Sequence, residues 1–288
     1  MTVRGGGRGE LALVLHAHMP YVEGFDTWPF GEEWLWEAVA TVYLPLLELL
    51  GEAQVTLGLT PVLCDQLETL TGPAGDRFSA FLGEARATLY AADAAELERA
   101  GESRLAEEVG RAAGLYAAAG ERFAALGGDV LGAFRRLGTK GPVELMTSAA
   151  THAVLPLVAT EAVRRLQVRA GVAAHARRFG ARARSFWLPE CAYEPGLEHA
   201  LAGHGVGAFC VDQTGALGLG APEHLEPVAT DAGPVAVPID WETVGLVWDA
   251  ERGYPAHPLY RDYHRGTAHG ARPWAIGGGA YDPVAALT

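Results

Sequence analysis

Hydrophobic residues fall in short continuous runs that alternate with segments of helical periodicity. The run at residues 11–15 is apolar at every position and ends in His16-Ala17-His18, which predicts a strand buried on both faces. Strands that alternate with helices predict an α/β fold with a parallel sheet built from βαβ units. Further strands are predicted at 55–59, 143–146, 184–188 and 208–211, and helices at 34–50, 155–170 and 195–203.

A long segment between the second and third predicted strands is rich in strong helix formers. From about 84 to 140, Ala, Glu, Arg and Leu dominate, with glycines such as Gly101 and Gly114 as interruptions, which predicts a helical insertion. The Gly- and Pro-rich range 215–238 predicts a long surface loop or a short hairpin. Residues 1–10 lack an apolar core segment and predict a disordered leader rather than a signal peptide, so the folded domain is expected to span 11–288.

Composition and charge narrow the class of protein. The 288 residues are 49% hydrophobic and 20% charged, which is enough for one sizeable core. The net charge of −13 disfavours nucleic acid as a partner. The chain has no uninterrupted apolar stretch of about 20 residues, so no membrane span is expected. Cys64, Cys191 and Cys210 form no CxxC pair, which favours reduced thiols and a cytoplasmic location.

Several polar residues that could bind a ligand or take part in catalysis lie in or directly after the predicted strands. Functional side chains in parallel α/β folds gather at the carboxyl ends of strands. The candidates are His16 and His18 after the first strand, Glu144 within the third, Glu190 after the fourth and Asp212 after the fifth. Because His16 and His18 are two residues apart on an extended segment, their side chains should point the same way. That arrangement suits hydrogen bonds to one hydroxyl-rich ligand, or two bonds to a metal.

The segment 187–193 (WLPECAY) is the most informative in the chain. Glu190 lies between Pro189 and Cys191 with aromatic residues on both sides, and glutamate is almost never fully buried unless it is paired or used. Trp187 and Tyr193 could form a wall for sugar stacking. A carboxylate beside such a wall could attack an anomeric carbon, as in retaining sugar chemistry.

Several candidates also have a purely structural interpretation. Glu144 could pair with an arginine, and Asp212 could cap the next helix. Arg261 could bind substrate hydroxyls or form a surface ion pair. Trp274 could stack on a sugar or fill a core, and Gly278, within three consecutive glycines, could allow close backbone approach to a ligand or simply form a loop.

Taken in order, these motifs resemble glycoside hydrolase family 57, and within it the 1,4-α-glucan branching enzymes. The resemblance extends over nearly the whole chain after the leader, and the string at 187–193 is its most specific part. The motifs that carry it are HAHMP at 16–20, GPVEL at 141–145, Thr151-His152, WLPECAY at 187–193, VW at 247–248, GYP at 253–255 and YRDYH at 260–264.

The resemblance implies an incomplete (β/α)7 barrel with a helical insertion, and a retaining double displacement with Glu190 as nucleophile. It implies an α-glucan as partner, transfer of an α-1,4 segment to a 6-hydroxyl in glycogen or related biosynthesis, and no metal or other cofactor. The implied substrate-binding residues are His16, His18, Glu144, His152, Trp187, Asp212, Arg261, Trp274 and Gly278.

One feature departs from the family pattern. The family's acid/base aspartate belongs to a later motif, and Asp282, close to the end at Thr288, does not sit in such a motif. Retaining chemistry needs a second carboxyl about 5–5.5 Å from the first. The barrel domain is therefore expected to be incomplete at its C-terminus, with a further portion missing. Activity is expected to be low or absent, since general acid catalysis contributes about 10²–10⁴-fold.

Three alternatives stay open. The same family contains α-amylases and 4-α-glucanotransferases, which would hydrolyse glucans or yield linear products. A non-catalytic glucan-binding remnant would use the same aromatic and polar residues for binding alone. A metal-dependent polysaccharide deacetylase would use His16 and His18 as ligands, but no HxxxH pair with an accompanying aspartate is evident.

Overall fold

The computed structural model describes residues 11–25, 31–212 and 225–287, in which one sheet is the central element. Its strands are β1 (Val14–Ala17), β2 (Thr56–Leu59), β3 (Glu144–Ser148), β4 (Ser185–Trp187), β5 (Ala208–Val211), β6 (Val228–Ala229) and β7 (Val235–Pro238). They lie in the order β1-β2-β3-β4-β5-β7-β6. Every neighbouring pair is parallel except β6 and β7, which are antiparallel.

Each of the five predicted strands is present, with one shift that affects the site. β1 begins at Val14, opposite Thr56 of β2, instead of at residue 11. His16 therefore lies within the strand rather than after it. The described part of 215–238 contains the antiparallel pair β6–β7, as a hairpin would, while residues 213–224 lie outside the described chain. The parallel pairing of β7 with β5 was not anticipated.

In the described chain, helices follow β1, β2, β3, β4 and β7. Two π-helical segments, Val39–Tyr43 and Phe81–Arg86, join α1 to α2 and α4 to α5, and short 3-10 turns span Leu155–Leu157, Pro189–Cys191 and Tyr254–Ala256. No helix of the described ranges is long and apolar enough to cross a membrane. The α-helices are α1 (Glu32–Ala38), α2 (Leu44–Leu49), α3 (Pro61–Thr69), α4 (Pro73–Ala80), α5 (Ala87–Arg99), α6 (Ser103–Ala125), α7 (Val130–Lys140), α8 (Glu161–Phe179), α9 (Leu197–Ala202), α10 (Trp241–Trp248) and α11 (Pro283–Leu287).

The helix predicted at 155–170 is displaced in the structure. Residues Leu155–Leu157 form a 3-10 turn around Pro156, and α8 starts only after Thr160, whose side chain accepts a hydrogen bond from the Val163 N–H. The helix continues to Phe179 and ends at Gly180, where a positive φ of 73° suits glycine. The local cap residues, rather than the apolar spacing, set both ends.

Contacts between strands that are not neighbours show that the sheet curls. The rings of His16 on β1 and Trp187 on β4 are stacked with their centroids 4.5 Å apart. In a flat sheet, three strand spacings would separate β1 from β4 by about 14 Å. The concave side is filled by buried Met146, Cys191 and Cys210. The fold is thus α/β and matches the expected incomplete (β/α)7 barrel with parallel strands and a helical insertion, and the sheet is not closed within the described residues.

A glycine fixes the distance between α8 and β3. A Cβ on Gly171 would lie 2.1 Å from the carbonyl oxygen of Ser148, which no side chain permits. Thr147 Oγ1 donates a hydrogen bond to the Gly171 carbonyl at 3.2 Å. This close contact holds Ser148, the last residue of β3, in place at the carboxyl end of the sheet.

Candidate active site

Three histidines and one carboxylate meet at the carboxyl ends of β1, β3 and β4. His152 Nε2 lies 3.6 Å from Glu190 Oε1. The ring centroid of His152 is 4.0 Å from that of His18 and 4.9 Å from that of His16. We refer to His16, His18, His152 and Glu190 as the histidine–carboxylate cluster. Trp187 belongs beside it, because its ring covers one face of His16.

The backbone of this site is strained. His152, Glu190 and Cys191 have φ values of 57°, 57° and 51°, and they are the non-glycine residues with positive φ in the described chain. The left-handed conformation costs an L-residue about 1–2 kcal/mol. The turn at Pro189–Cys191 directs the Glu190 side chain into solvent, where it is 74% exposed, while Cys191 is buried in the barrel interior. The strain therefore keeps the carboxylate accessible at the mouth of the barrel.

The histidines around this carboxylate are neutral near pH 7. Burial lowers the pKa of His16 to about 3, with further contributions from His152 and His18. Burial also lowers the pKa of His152 to about 4, with a smaller contribution from His18. Burial lowers the pKa of His18 against the opposing effect of Glu190. Glu190 consequently faces uncharged imidazoles, which leave its negative charge unpaired.

Hydrogen bonds determine which nitrogen of His152 carries its proton. Ser148 Oγ donates to the Trp187 carbonyl at 2.8 Å and also lies 3.4 Å from His152 Nδ1. Because the hydroxyl has one hydrogen, Ser148 must accept from the Nδ1–H of His152. A neutral imidazole has one N–H, so Nε2 of His152 is an acceptor that faces Glu190.

The position of the proton on His16 follows from the same hydrogen bonds. Its Nε2 lies 3.4 Å from His152 Nε2, and since the latter is an acceptor, His16 donates. His16 Nδ1 then carries a lone pair, and this atom is buried without a hydrogen-bond partner among the described residues. A buried unpaired acceptor is tolerated more often than a buried unpaired N–H. His152 Nε2 therefore uses its one lone pair for His16, and the exposed Glu190 carboxylate is the acceptor of the cluster that stays accessible to the hydroxyl donors of a ligand.

Two hydroxyl residues of the site were missed at the level of the sequence. Ser148 ends β3 and contacts His152, and Thr60 follows β2 with its Oγ1 3.3 Å from His18 Nδ1. Thr60 also accepts from the Leu63 N–H and so caps α3. Both residues lie at the carboxyl end of a parallel strand, as the predicted histidines do. That position was the signal in the sequence by which they could have been found.

Asp212 adjoins the turn that carries Glu190. Its N–H donates to the Cys191 carbonyl at 3.0 Å, and its Oδ1 accepts from Trp241 Nε1 at 2.8 Å. The residues that directly follow Asp212, where a helix capped by its side chain would begin, lie outside the described chain. The hydrogen bond to Cys191 ties the end of β5 to the Pro189–Cys191 turn that carries Glu190.

Glu144 does not lie with the cluster, contrary to expectation. It is the first residue of β3, so the rise along the strand puts it about 13 Å from Ser148. Its Oε1 accepts a hydrogen bond from Ser185 Oγ at 2.8 Å, at the amino end of the sheet. The strand predicted at 143–146 continues to residue 148, and this extension places Ser148 where Glu144 was expected.

Arg261, Trp274 and Gly278 lie in a C-terminal segment that packs on the helical insertion. Arg261 Nη2 is 2.5 Å from Glu108 Oε1 of α6. Of the two roles considered for Arg261, the structure thus contains the ion pair. Trp274 has the Arg265 guanidinium 4.3 Å from its ring centroid. Gly278, with φ of 93°, occupies the turn between the bridged residues Trp274 and Ala280. No described contact joins these three residues to the histidine–carboxylate cluster.

Metal coordination was the other possible use of His16 and His18. Across residues 11–25, 31–212 and 225–287, no group of three or more His, Cys, Asp or Glu side chains is arranged to hold a metal ion. The observed partners of His16 are the Trp187 ring and His152.

Known proteins are similar to this chain in both sequence and fold. The profile of glycosyl hydrolase family 57 matches residues 12–239. A 1,4-alpha-glucan branching enzyme of Thermococcus kodakarensis is 32% identical over 93% of this chain and 44% of its own length. The crystal structure of a branching enzyme from Pyrococcus horikoshii superposes with a TM-score of 0.84 at 31% identity, covering 97% of this chain and 56% of that one.

An α-amylase structure is also similar. AmyC from Thermotoga maritima gives a TM-score of 0.83 at 25% identity, over 98% of this chain and 60% of its own. The chain spans about half the length of the curated relatives it matches.

Proposed function

The chain belongs to glycosyl hydrolase family 57, and on that premise we propose that it supplies the nucleophile side of a retaining α-glucan enzyme. Glu190 is the nucleophile, and His16, His18 and His152 bind the hydroxyls of the donor glucose. The observation that carries this proposal is the exposed Glu190 carboxylate on a strained turn, 3.6 Å from an imidazole that is neutral near pH 7. A neutral neighbour supports nucleophilic attack because it does not neutralise the attacking oxygen.

The proposed reaction is the transfer of an α-1,4-glucan segment to a 6-hydroxyl. Its support is the likeness to branching enzymes at 32% and 31% identity. Hydrolysis of the same donor is the alternative that the α-amylase neighbour favours. Buried free cysteines at 64, 191 and 210 support a reducing, cytoplasmic setting in which a glycogen-like polysaccharide is the substrate.

An activated donor tests the nucleophile directly. In α-maltosyl fluoride, fluoride leaves with the bonding electron pair and without protonation, so the step needs no acid/base carboxyl. An Oε atom of Glu190 bonds to the anomeric carbon as the carbon–fluoride bond breaks. Mass spectrometry after a rapid quench should find a maltosyl ester on the peptide that contains Glu190, and Glu190→Gln should carry none.

The result also separates the alternatives. A maltosyl ester on another carboxylate, or fluoride release that Glu190→Gln leaves unchanged, would refute the assignment. Glucan retention by both proteins without any ester would favour a non-catalytic glucan-binding role. With amylose as substrate, α-1,6 branch points would indicate branching, and new reducing ends without branch points would indicate hydrolysis.

A further inference from the structure

A second concave surface lies between α8 and the segment 194–204, which includes α9. This groove has a volume of about 680 Å³, and none of its lining residues belongs to the histidine–carboxylate cluster. We refer to it as the α8–α9 groove. Its basic lining residues are Arg164, Arg165 and Arg169 from α8 and His199 and His204 from the opposite wall.

Small residues line the space between these walls. Ala162 faces the groove from α8, and Gly196, Ala200 and Gly203 face it from the other side. Short side chains let a ligand approach the backbone closely. The volume is in the range of about 300–1,000 Å³ that is typical of small-molecule sites.

The charges of the groove are unbalanced. Its two acidic residues are already paired, since Glu161 Oε1 lies 2.7 Å from Arg165 Nε and Glu194 forms an ion pair with Arg164. Arg169 has no carboxylate within 4.0 Å in the described part of the chain, and the His204 side chain has no hydrogen-bond partner there. The groove thus retains one free guanidinium and a free imidazole.

On the premise of the proposed α-glucan function, we propose that the α8–α9 groove binds a small sugar that bears a phosphate group. Arg169 is the main phosphate ligand, because the planar guanidinium fork matches phosphate oxygens, and His199 and His204 add hydrogen-bond donors. The overall charge of −13 repels anions at long range, so an anion site on this protein requires a concave local excess of cations. The groove provides that excess.

The groove also adjoins the loop that carries the nucleophile. Glu194 is four residues after Glu190, and the Tyr193 hydroxyl donates to Glu198 Oε2 of α9 at 2.8 Å. A ligand that orders this segment would act on the same stretch of chain that holds the strained turn.

Calorimetric titration of the full chain with glucose 6-phosphate tests the proposal. Arg169→Gln should weaken the affinity about tenfold or more, as expected for losing hydrogen bonds to a charged group. Arg104→Gln is the matched control, since Arg104 is exposed on α6, has no ion pair in the described ranges and changes the net charge equally. Equal weakening in both variants, or no binding to the parent, would overturn the proposal.

Two further probes identify the source of the phosphate. Starch that carries phosphate monoesters should be retained more strongly than the same starch after phosphatase treatment if the natural ligand is a phosphorylated glucan. Binding of glucose 6-phosphate without that difference would identify a free sugar phosphate. Loss of either kind of binding in Arg169→Gln would support the site. Retention of both starches by Arg169→Gln at the parent's level would count against it.

Discussion

His152 Nε2 lies 3.6 Å from Glu190 Oε1, and both residues have the same left-handed φ of 57°. They follow different strands, β3 and β4, so two separate loops adopt an unfavourable conformation at the residues that face each other. Strained residues persist only where the surrounding structure determines them. The geometry between imidazole and carboxylate is therefore set by the backbone before any ligand binds.

Replacing Glu190 by glycine should stabilise the protein while abolishing ester formation. Glycine adopts positive φ without a Cβ penalty, and the lost side chain is 74% exposed, so the free energy of unfolding should rise by about 1 kcal/mol. Urea denaturation measures this change. Glu190→Ala is the control, because alanine keeps the Cβ and should bring no such gain; equal stability of the two variants would contradict the strain.

Removal of the Ser148 hydroxyl should change which nitrogen of His152 carries the proton. In Ser148→Ala, His152 loses the acceptor for its Nδ1–H, and ¹⁵N chemical shifts should show the Nε2–H tautomer becoming populated. The rate of ester formation on Glu190 should fall about tenfold. Ser185→Ala removes another buried hydroxyl, bonded to Glu144 at the amino end of the sheet, and should leave both readouts unchanged. A parent-like His152 spectrum in Ser148→Ala would argue against this proton order.

Stability should decline in mild acid because of buried histidines. Burial lowers the pKa of His175 on α8 from 6.5 to about 4, so the unfolded chain binds a proton first as the pH falls. The stability is fully present above pH 6.5 and is lost toward pH 4, with a slope of up to about 1.4 kcal/mol per pH unit for each such histidine.

Urea titrations between pH 7 and pH 5 measure that slope. His175→Gln, which cannot titrate, should reduce the slope by up to the contribution of one histidine. His264→Gln, at an exposed position, should leave the slope unchanged. An unchanged slope in His175→Gln would show that this imidazole is protonated equally in both states.

Arg261→Ala tests whether Arg261 serves the fold or the substrate. Its guanidinium is 15% exposed, and it shares Glu108, 4% exposed, with Arg111. Because Arg111 stays to compensate Glu108, the loss should be about 2 kcal/mol, below the 3–5 kcal/mol typical of a broken buried pair. Proteolysis around residues 257–281 should accelerate as this segment loosens from α6. A weaker affinity for glucan at unchanged stability would instead assign Arg261 to substrate binding.

The sequence was sufficient to predict the strands and the position of Glu190 shortly after the fourth of them. Continuous apolar runs identify buried parallel strands, and a carboxylate after Pro189 at a strand end has few structural explanations. Glu144 was misplaced because the third strand extends two residues further than predicted, so that Ser148 lies at its carboxyl end and Glu144 at its amino end.

Other features depend on long-range contacts or on unusual backbone conformations. The Arg261–Glu108 pair joins positions 153 residues apart, which no local pattern indicates. The positive φ of His152 and Glu190 could not be predicted either, since this conformation is uncommon for any residue other than glycine and the assembled barrel imposes it.

β1 is the terminal strand of the sheet, and β2 is its one neighbour in the described order. Edge strands open locally at a lower free energy than central ones, so amide hydrogen exchange should be faster in β1 than in β3 and β4. Each opening carries His16 away from Trp187 while the remaining strands stay folded. Moderate heating should therefore stop the proposed ester formation on Glu190 before the helical circular dichroism of the protein is lost.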